Sequence, residues 1–235
     1  MKDSIGTRMK ENYEDRYRFK LTRRTPVILR LDGKAFHTLT RKSCEKPFDM
    51  KFHETMQKTA LFLCSKIQGS KCAYIQSDEI SILLIDFDTI KTESWFDYNL
   101  QKIVSISSGI ASSYFSMNWD WCKESDNNLA IFDSRIFNIP KEEVCNYFIW
   151  RQQDWLRNSI QMLSQFYFSQ KELNKKKASD MHEMLHKKGV NWADLDSVWK
   201  NGTFIFIDDG VLNLTNDIIF TKSRVLFEKY LEPKE

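Results

Sequence analysis

The chain has 235 residues, 42% of them hydrophobic, with seventeen Phe and seven Trp, which is enough apolar mass for one substantial domain with a real core. Seven Gly and four Pro are too few for a linker-rich chain, and no apolar run approaches the roughly 20 residues of a membrane span. The net charge of +3 decides little by itself, but five Cys without a CxxC pair argue for reduced thiols and against a zinc knuckle. The start, Met1–Gly6, carries no apolar signal segment, so a cytoplasmic protein without membrane association is expected.

Residues 1–24 read as a charged helix with Met9, Tyr13 and Tyr17 at helical spacing, closed by Pro26. Val27–Leu31 is a run of β-branched and aliphatic residues, expected as a buried strand, and the turn Asp32-Gly33-Lys34 follows it. Phe48–Ile67 reads as a helix because Phe52, Met56, Ala60, Leu63 and Ile67 share a face; Gly69 and Ser70 stop it. Cys64, within that apolar run, is expected in the core. Cys72–Ile75 and Ile80–Asp86 read as strands joined by Gln76-Ser77-Asp78-Glu79, a hairpin with an acidic tip. Trp95–Phe115 is a second long helix, Ile131–Ile139 a strand, and Glu142–Tyr167 a third long helix rich in aromatics. A strand at Thr203–Ile207 and a terminal hairpin of Val211–Leu214 with Ile218–Phe220 complete the reading.

This order predicts an α+β class and a palm-like ferredoxin fold, βαββαβ, with an antiparallel sheet and helices on one face, followed by a C-terminal helical and β-hairpin extension. Residues 1–140 would form the catalytic core with its N-terminal helical segment, and residues 141–235 would pack on it as one compact unit. Polymerase palms, nucleotidyl cyclases and RNA-recognition modules share this topology, so function must come from the site.

The site candidates start with Asp32 and Asp78. In this topology the end of the first strand lies beside the hairpin tip, so two acids from apolar, β-prone runs meet at one sheet edge. Two carboxylates that close repel unless a cation bridges them. Mg²⁺ takes oxygen ligands and keeps several waters, so two carboxylates, the Gly33 carbonyl and triphosphate oxygens suit it. Glu79 stands next to the pair. The turn from Gly33 through Lys34, Ala35 and Phe36 to His37 could hold phosphate oxygens on its N–H groups, with Lys46 and Lys102 as triphosphate cations. Asp49 and Ser77 join the nucleotide-binding candidates. Metal-assisted phosphoryl transfer is the chemistry this set suggests.

Basic clusters at Arg16, Arg18, Lys20, Arg23 and Arg24 and at Lys171, Lys175, Lys176 and Lys177 suit a phosphate backbone, although a solvated face explains either equally well. His182 and His186 are spaced i, i+4 without a third ligand and read as surface or RNA-facing rather than metal-binding. The band Tyr147, Phe148, Trp150, Trp155, Phe166, Tyr167 and Phe168 reads as core or subunit contact before base stacking.

Several ordered stretches together resemble the tRNA(His) guanylyltransferase superfamily, enzymes that extend RNA in the 3′→5′ direction. They are Lys2–Lys10, Arg30–His37, Lys46-Pro47, Gln76–Glu79, Ile110–Phe115, Phe132–Arg135 and Trp150-Arg151-Gln152. The resemblance implies a palm-like core with two Mg²⁺ ions held by Asp32, the Gly33 carbonyl and Asp78, with Glu79 supporting them. It also implies ATP and GTP as substrates, tRNA as partner and a homotetramer. Eukaryotic members carry a His-Ile-Asn-Asn-Leu-Tyr-Asn run where this chain has Leu156–Met162, and only Asn158 and an aliphatic position survive. Asn99–Ile103 and Met181–Leu185 are instead similar to bacterial and archaeal guanylyltransferase-like proteins. Those relatives repair 5′-truncated tRNA by templated addition, so 5′-end repair is the expected activity, with addition of the −1 guanosine to tRNA(His) as the alternative. Arg24, Arg135, Arg151, Asn158, Lys175, Lys176 and Lys177 are the expected RNA contacts. A nucleotidyl cyclase would share the palm, but the Gly-Gly-Asp/Glu-Glu-Phe signature is missing. A non-catalytic RNA-binding module would show aromatics on its central strands, and Val27–Leu31 offers none.

Overall fold

The computed structural model describes residues 4–125, 127–208 and 210–233. Lys2 and Asp3 of the opening stretch lie outside these residues. Among the described residues one antiparallel sheet of six strands runs in the order β4-β1-β3-β2-β5-β6. The strands are β1 (Val27–Gly33), β2 (Ser70–Gln76), β3 (Glu79–Leu84), β4 (Phe132–Asn138), β5 (Thr203–Asp208) and β6 (Val211–Thr215). The first four, in the order 4-1-3-2 with their intervening helices, make the expected ferredoxin-like palm.

Strand alternation sorts the core into two layers. Val27, Leu29 and Leu31 of β1, with Ile80, Ile82 and Leu84 of β3, face one side. Two helices cover them: α3 (Met50–Lys66) and α4 (Leu100–Asn118). Each starts on a side-chain cap, Asp49 accepting from Phe52 N at 2.8 Å and Asn99 from Lys102 N at 3.0 Å. Phe36, Phe52, Phe115 and Phe132 interlock between these helices and the sheet, with centroid separations of 4.9–6.0 Å. Cys64 is buried in this layer as expected.

The palm's own helices thus lie on one face, and the extension covers the other. Helix α6 (Lys141–Tyr167) packs Val144, Phe148 and Ile149 against Ile28, Tyr74, Leu83 and Phe204. Phe148 stacks on Phe227 at 4.8 Å, just before the terminal helix α10 (Glu228–Leu231). Of the aromatic band, Tyr147, Phe148 and Trp155 are buried, whereas Trp150, Phe166 and Tyr167 are exposed. The extension also lengthens the sheet, since β5 pairs with β2 and β6 with β5.

Several boundaries differ from the sequence reading. The helix expected from Trp95 starts at Leu100, because Phe96, Asp97 and Tyr98 take φ of 50–52°. The N-terminal helix α1 (Ile5–Met9) loosens into a wider turn at Lys10–Glu14 and a tighter one at Asp15–Tyr17, and ends there instead of at residue 24. Beyond it Leu21 N donates to Tyr98 O, and Arg24 N and the Arg23 guanidinium bind Asp86, which holds a turn at Arg23-Arg24 (φ 59° at Arg24) in place of helix. A short helix, α2 (Phe36–Ser43), fills what reads as a turn. The terminal hairpin is β5–β6, turning at Gly210 (φ 77°), and Ile218–Phe220 is not a strand: the Phe220 ring is fully buried in the second core layer. Helices α5 (Asp120–Lys123), α7 (Gln170–Leu173), α8 (Ala178–Lys187) and α9 (Ser197–Asn201) complete the fold; α8 carries His182 and His186.

Phe115 is fully buried and touches four other rings, so Phe115→Ala is expected to lower stability by ~3–5 kcal/mol, read by urea unfolding.

Candidate active site

The β1–β3 register sets Asp32 opposite Glu79, and Gly33 N donates to the Asp78 carbonyl at 3.2 Å. The end of β1 is thereby tied to the hairpin tip. Burial, and then the Asp32 carboxylate, push the Asp78 carboxyl up to about 6. The two acids therefore share one field. Among the described residues no group of three or more His, Cys, Asp and Glu side chains is placed to hold a metal, so the oxygen donors here are two carboxylates and nearby carbonyls.

Glu79 stands apart from that pair chemically. Its carboxylate is buried and accepts from Arg151 Nε at 2.7 Å and Nη2 at 2.9 Å, with Arg30 Nε 3.8 Å away. Burial raises the Glu79 carboxyl against the lowering pull of Arg151 and Arg30. Arg151 also donates to Asp154 at 2.9 Å and lies over the Trp150 ring at 4.3 Å. Its guanidinium is thus buried and held through Nε and Nη2 by two carboxylates, which sets it apart from the exposed RNA contacts expected from sequence.

The turn after Asp32 needs its residues for packing reasons. A Cβ on Gly33 would lie 2.2 Å from Phe36 Cδ2, so only glycine lets the Phe36 ring fold back into the core. Ala35 takes φ 57° to start α2, and no side chain caps that helix. The N–H groups of Phe36 and His37 are left without a capping oxygen, and the positive helix end favours an anion there.

A cavity of about 560 Å³ opens at this turn. One group of lining residues is Gly33, Ala35, Phe36, His37, Ser77 and Asp78. A second is Phe48, His53, Trp155, Met162, Gln165 and Trp199, with the Phe48 and Trp199 rings stacked at 4.8 Å. Lys46 and Asp49 line it as well. The Asp49 carboxylate accepts from Phe52 N and Glu45 N, both at 2.8 Å, and so shapes the loop between the two groups. Sequence reasoning missed Phe48, His53, Met162, Gln165 and Trp199 as site residues. They come from the loop before α3 and from α3, α6 and α9, and no local motif links them.

Two triphosphate candidates fall elsewhere. Lys34 is exposed and does not line the cavity; its backbone N–H donates to Ile131 O at 2.7 Å. Lys102 lies in the first turn of α4. That helix meets the site end of the sheet at Ser108 and Ser112, whose hydroxyls bond to Phe132 O and Phe132 N, and Phe132 pairs with Gly33. Helical rise puts Lys102 about 9 Å back along the axis from Ser108. Lys102 does not line the cavity and its ammonium lies over the Phe96 ring, which differs from the expectation.

The remaining RNA candidates are exposed and scattered. Arg24 precedes the opposite end of β1, Arg135 pairs with Asp133 on edge strand β4 at 3.3 Å, Asn158 lies on α6, and Lys175–Lys177 join α7 to α8. Of the first basic cluster, Arg18, Lys20 and Arg23 are paired with Asp15, Asp97 and Asp86.

A ferredoxin-like palm with paired acids, an uncapped helix start and a deep cavity defines a phosphoryl-transfer type of site. The comparisons narrow this. The family model described as tRNAHis guanylyltransferase, Thg1, matches residues 6–140. A bacterial tRNA(His) guanylyltransferase (Thg1)-like protein solved in complex with ATP is 43% identical, with TM-score 0.90, covering 97% of this chain and 99% of that one. One solved in complex with GTP is 39% identical, with TM-score 0.83 and the same coverages. The tRNA(His) guanylyltransferase of Schizosaccharomyces pombe is 29% identical over 78% of this chain and 74% of its own length. The chain belongs to the tRNA(His) guanylyltransferase family and is a nucleotidyltransferase.

Two outcomes follow from the electrostatics. Arg151→Leu leaves buried Glu79 with only the more distant Arg30 as a cation, and is expected to cost ~3 kcal/mol in chemical denaturation. Because the folded Asp78 carboxyl sits at about 6, above its ordinary value, the metal-free protein is favoured at low pH and loses stability as pH rises from about 4 through about 6. Asp32→Asn removes part of that elevation, so its melting temperature should fall less than the wild type's over the same pH interval.

Proposed function

We propose that this chain adds nucleotides to the 5′ end of tRNA, in the 3′→5′ direction and directed by a template strand, as a 5′-end repair activity with pyrophosphate release. The observation that carries the reading is the convergence of Asp32 and Asp78 beside a cavity whose other lining is aromatic. A nucleoside triphosphate has that same division, an anionic end and a flat apolar base.

Two carboxylates and the Gly33 carbonyl are a hard-oxygen donor set, and among the described residues no Lys, Arg or His forms an ion pair with either Asp32 or Asp78. Both facts fit Mg²⁺, two ions of which would be held by Asp32, Gly33 and Asp78. When bound, they supply positive charge that makes a 3′-hydroxyl more acidic and offsets charge on the leaving group. The protein's own part is positioning. The uncapped start of α2 receives triphosphate oxygens, with Lys46 and His37 at the cavity wall. Ser77 and Asp49 hold the hairpin and loop that frame them. Glu79, tied to Arg151, fixes the strand end that carries Asp32 rather than meeting substrate itself.

In the transfer, the 3′-hydroxyl oxygen of the incoming nucleotide bonds to the 5′ α-phosphorus of the RNA, its proton is lost and pyrophosphate departs. An RNA with a 5′-monophosphate first needs activation by ATP or GTP, the nucleotides in the two bacterial complexes. Arg24, Arg135, Asn158 and Lys175–Lys177 are the exposed groups available to the tRNA. Ile5, Met9, Tyr13 and Tyr17 form an exposed apolar row, which supports a homotetramer as the working form. No helix among the described residues is long and apolar enough to cross a membrane, which is compatible with a cytoplasmic setting.

The kinship with the Schizosaccharomyces pombe enzyme favours a second reading, addition of guanosine at position −1 of tRNA(His). Incubation with Mg²⁺, ATP, GTP and either a 5′-truncated tRNA or tRNA(His) lacking that guanosine separates the two. A cyclic nucleotide, or RNA binding without extension, would instead point to a cyclase or a binding module. Asp32→Ala and Asp78→Ala are each expected to abolish extension while the protein stays folded by circular dichroism. Extension retained by either folded variant refutes the assignment.

A further inference from the structure

His53 lies on the first turns of α3, lines the cavity beside Trp199 and is only 4% exposed. Its ring is 5.6 Å from the Trp199 ring, edge to face. Its Nε2 is 2.8 Å from Thr203 Oγ1. That hydroxyl is saturated: it donates to Asn216 Oδ1 at 2.7 Å and accepts from Gln57 Nε2 at 3.1 Å. With the only hydroxyl proton directed to Asn216, the contact with His53 needs the imidazole to donate, so the proton sits on Nε2. Gln57 Nε2 is also 3.1 Å from His53 Nε2; it gives one of its two amide protons to Thr203 Oγ1, and with the Thr203 proton on Asn216 the shorter His53–Thr203 contact is the one that requires a proton on His53 Nε2. Burial pushes the imidazole down to about 4, so the ring is neutral near pH 7.

Nδ1 is then a bare acceptor. It takes no hydrogen bond from any described residue, and His53 lines the cavity. A buried network thus holds one tautomer and leaves one imidazole lone pair without a protein partner at the aromatic end of the site.

We infer that His53 selects the base of the nucleotide bound in this cavity, its Nδ1 accepting a hydrogen bond from the exocyclic 6-amino group of adenine. The inference deepens the nucleotide-site reading given above and rests on it. Guanine presents an oxygen at the same position, and two acceptors facing each other cannot bond. Such a pairing leaves both desolvated, which is why a fixed polar partner rejects the wrong edge more strongly than it rewards the right one. Phe48 and Trp199 accept either purine face, so they supply affinity without this choice.

The test is calorimetric titration of the full chain with ATP, GTP and purine riboside triphosphate, which lacks the 6-amino group. The wild type is expected to bind ATP about 5-fold more tightly than the riboside analogue, the value of one net hydrogen bond. His53→Leu should bring that ratio to about 1 by weakening ATP alone, since only the amino contact is lost. Thr203→Val keeps the imidazole but releases its anchor, and should shrink the same ratio, which covers the case in which His53→Leu does not fold. Equal weakening of all three ligands in His53→Leu, or an unchanged ratio in both folded variants, overturns the role of His53 while leaving the nucleotide site standing. A wild type that binds none of the three overturns the nucleotide site and this role together.

Discussion

Repulsion between two carboxylates is the constraint around which the rest is arranged. The hydrogen bond from Gly33 N to the Asp78 carbonyl, and the pairing of Asp32 with Glu79, force three acids to one end of the sheet. The protein neutralises one of them internally, by the bidentate Arg151–Glu79 pair with Arg30 nearby. Neither Asp32 nor Asp78 has an ion-pair partner among the described residues, and burial, then the Asp32 carboxylate, raises the Asp78 carboxyl. Buried ion pairs seldom add net stability after desolvation. Here the pair's effect is selective: it separates the acid that holds the strands from the acids left free to meet a cation.

The packing around that end follows from the same geometry. Gly33 and the left-handed Ala35 bend the chain so sharply that the Phe36 ring enters the core while its backbone stays at the cavity wall. Four phenylalanines then hold α3, α4 and the sheet around this bend. A site whose backbone donors are fixed by a packed aromatic cluster is preorganised, since those donors cannot turn away when a ligand leaves.

The palm was legible because its signals are local. The β-branched and aliphatic run Val27–Leu31, the acidic hairpin tip and the helical stripe of α3 each specify an element within a short window. Helix α2 was not, because it starts at a left-handed alanine with no capping side chain, the reverse of the usual start signal. Lys102 and Arg151 show the limit for charged residues. Sequence marks them as cations but does not tell which end of a helix faces the acids, or that Arg151 meets Glu79 across the sheet. The aromatic half of the cavity was the least visible, since Phe48, Trp155 and Trp199 meet only after the third long helix has folded across the second face.

That cavity is assembled from two stretches of the chain. The turn, the hairpin, Phe48 and His53 fall within residues 6–140, the span matched by the family model, whereas Trp155, Met162, Gln165 and Trp199 lie beyond it. The aromatic end is therefore a seam between the palm and its extension, and a substitution on the later stretch reshapes the wall opposite His53 without altering the turn that carries the acids.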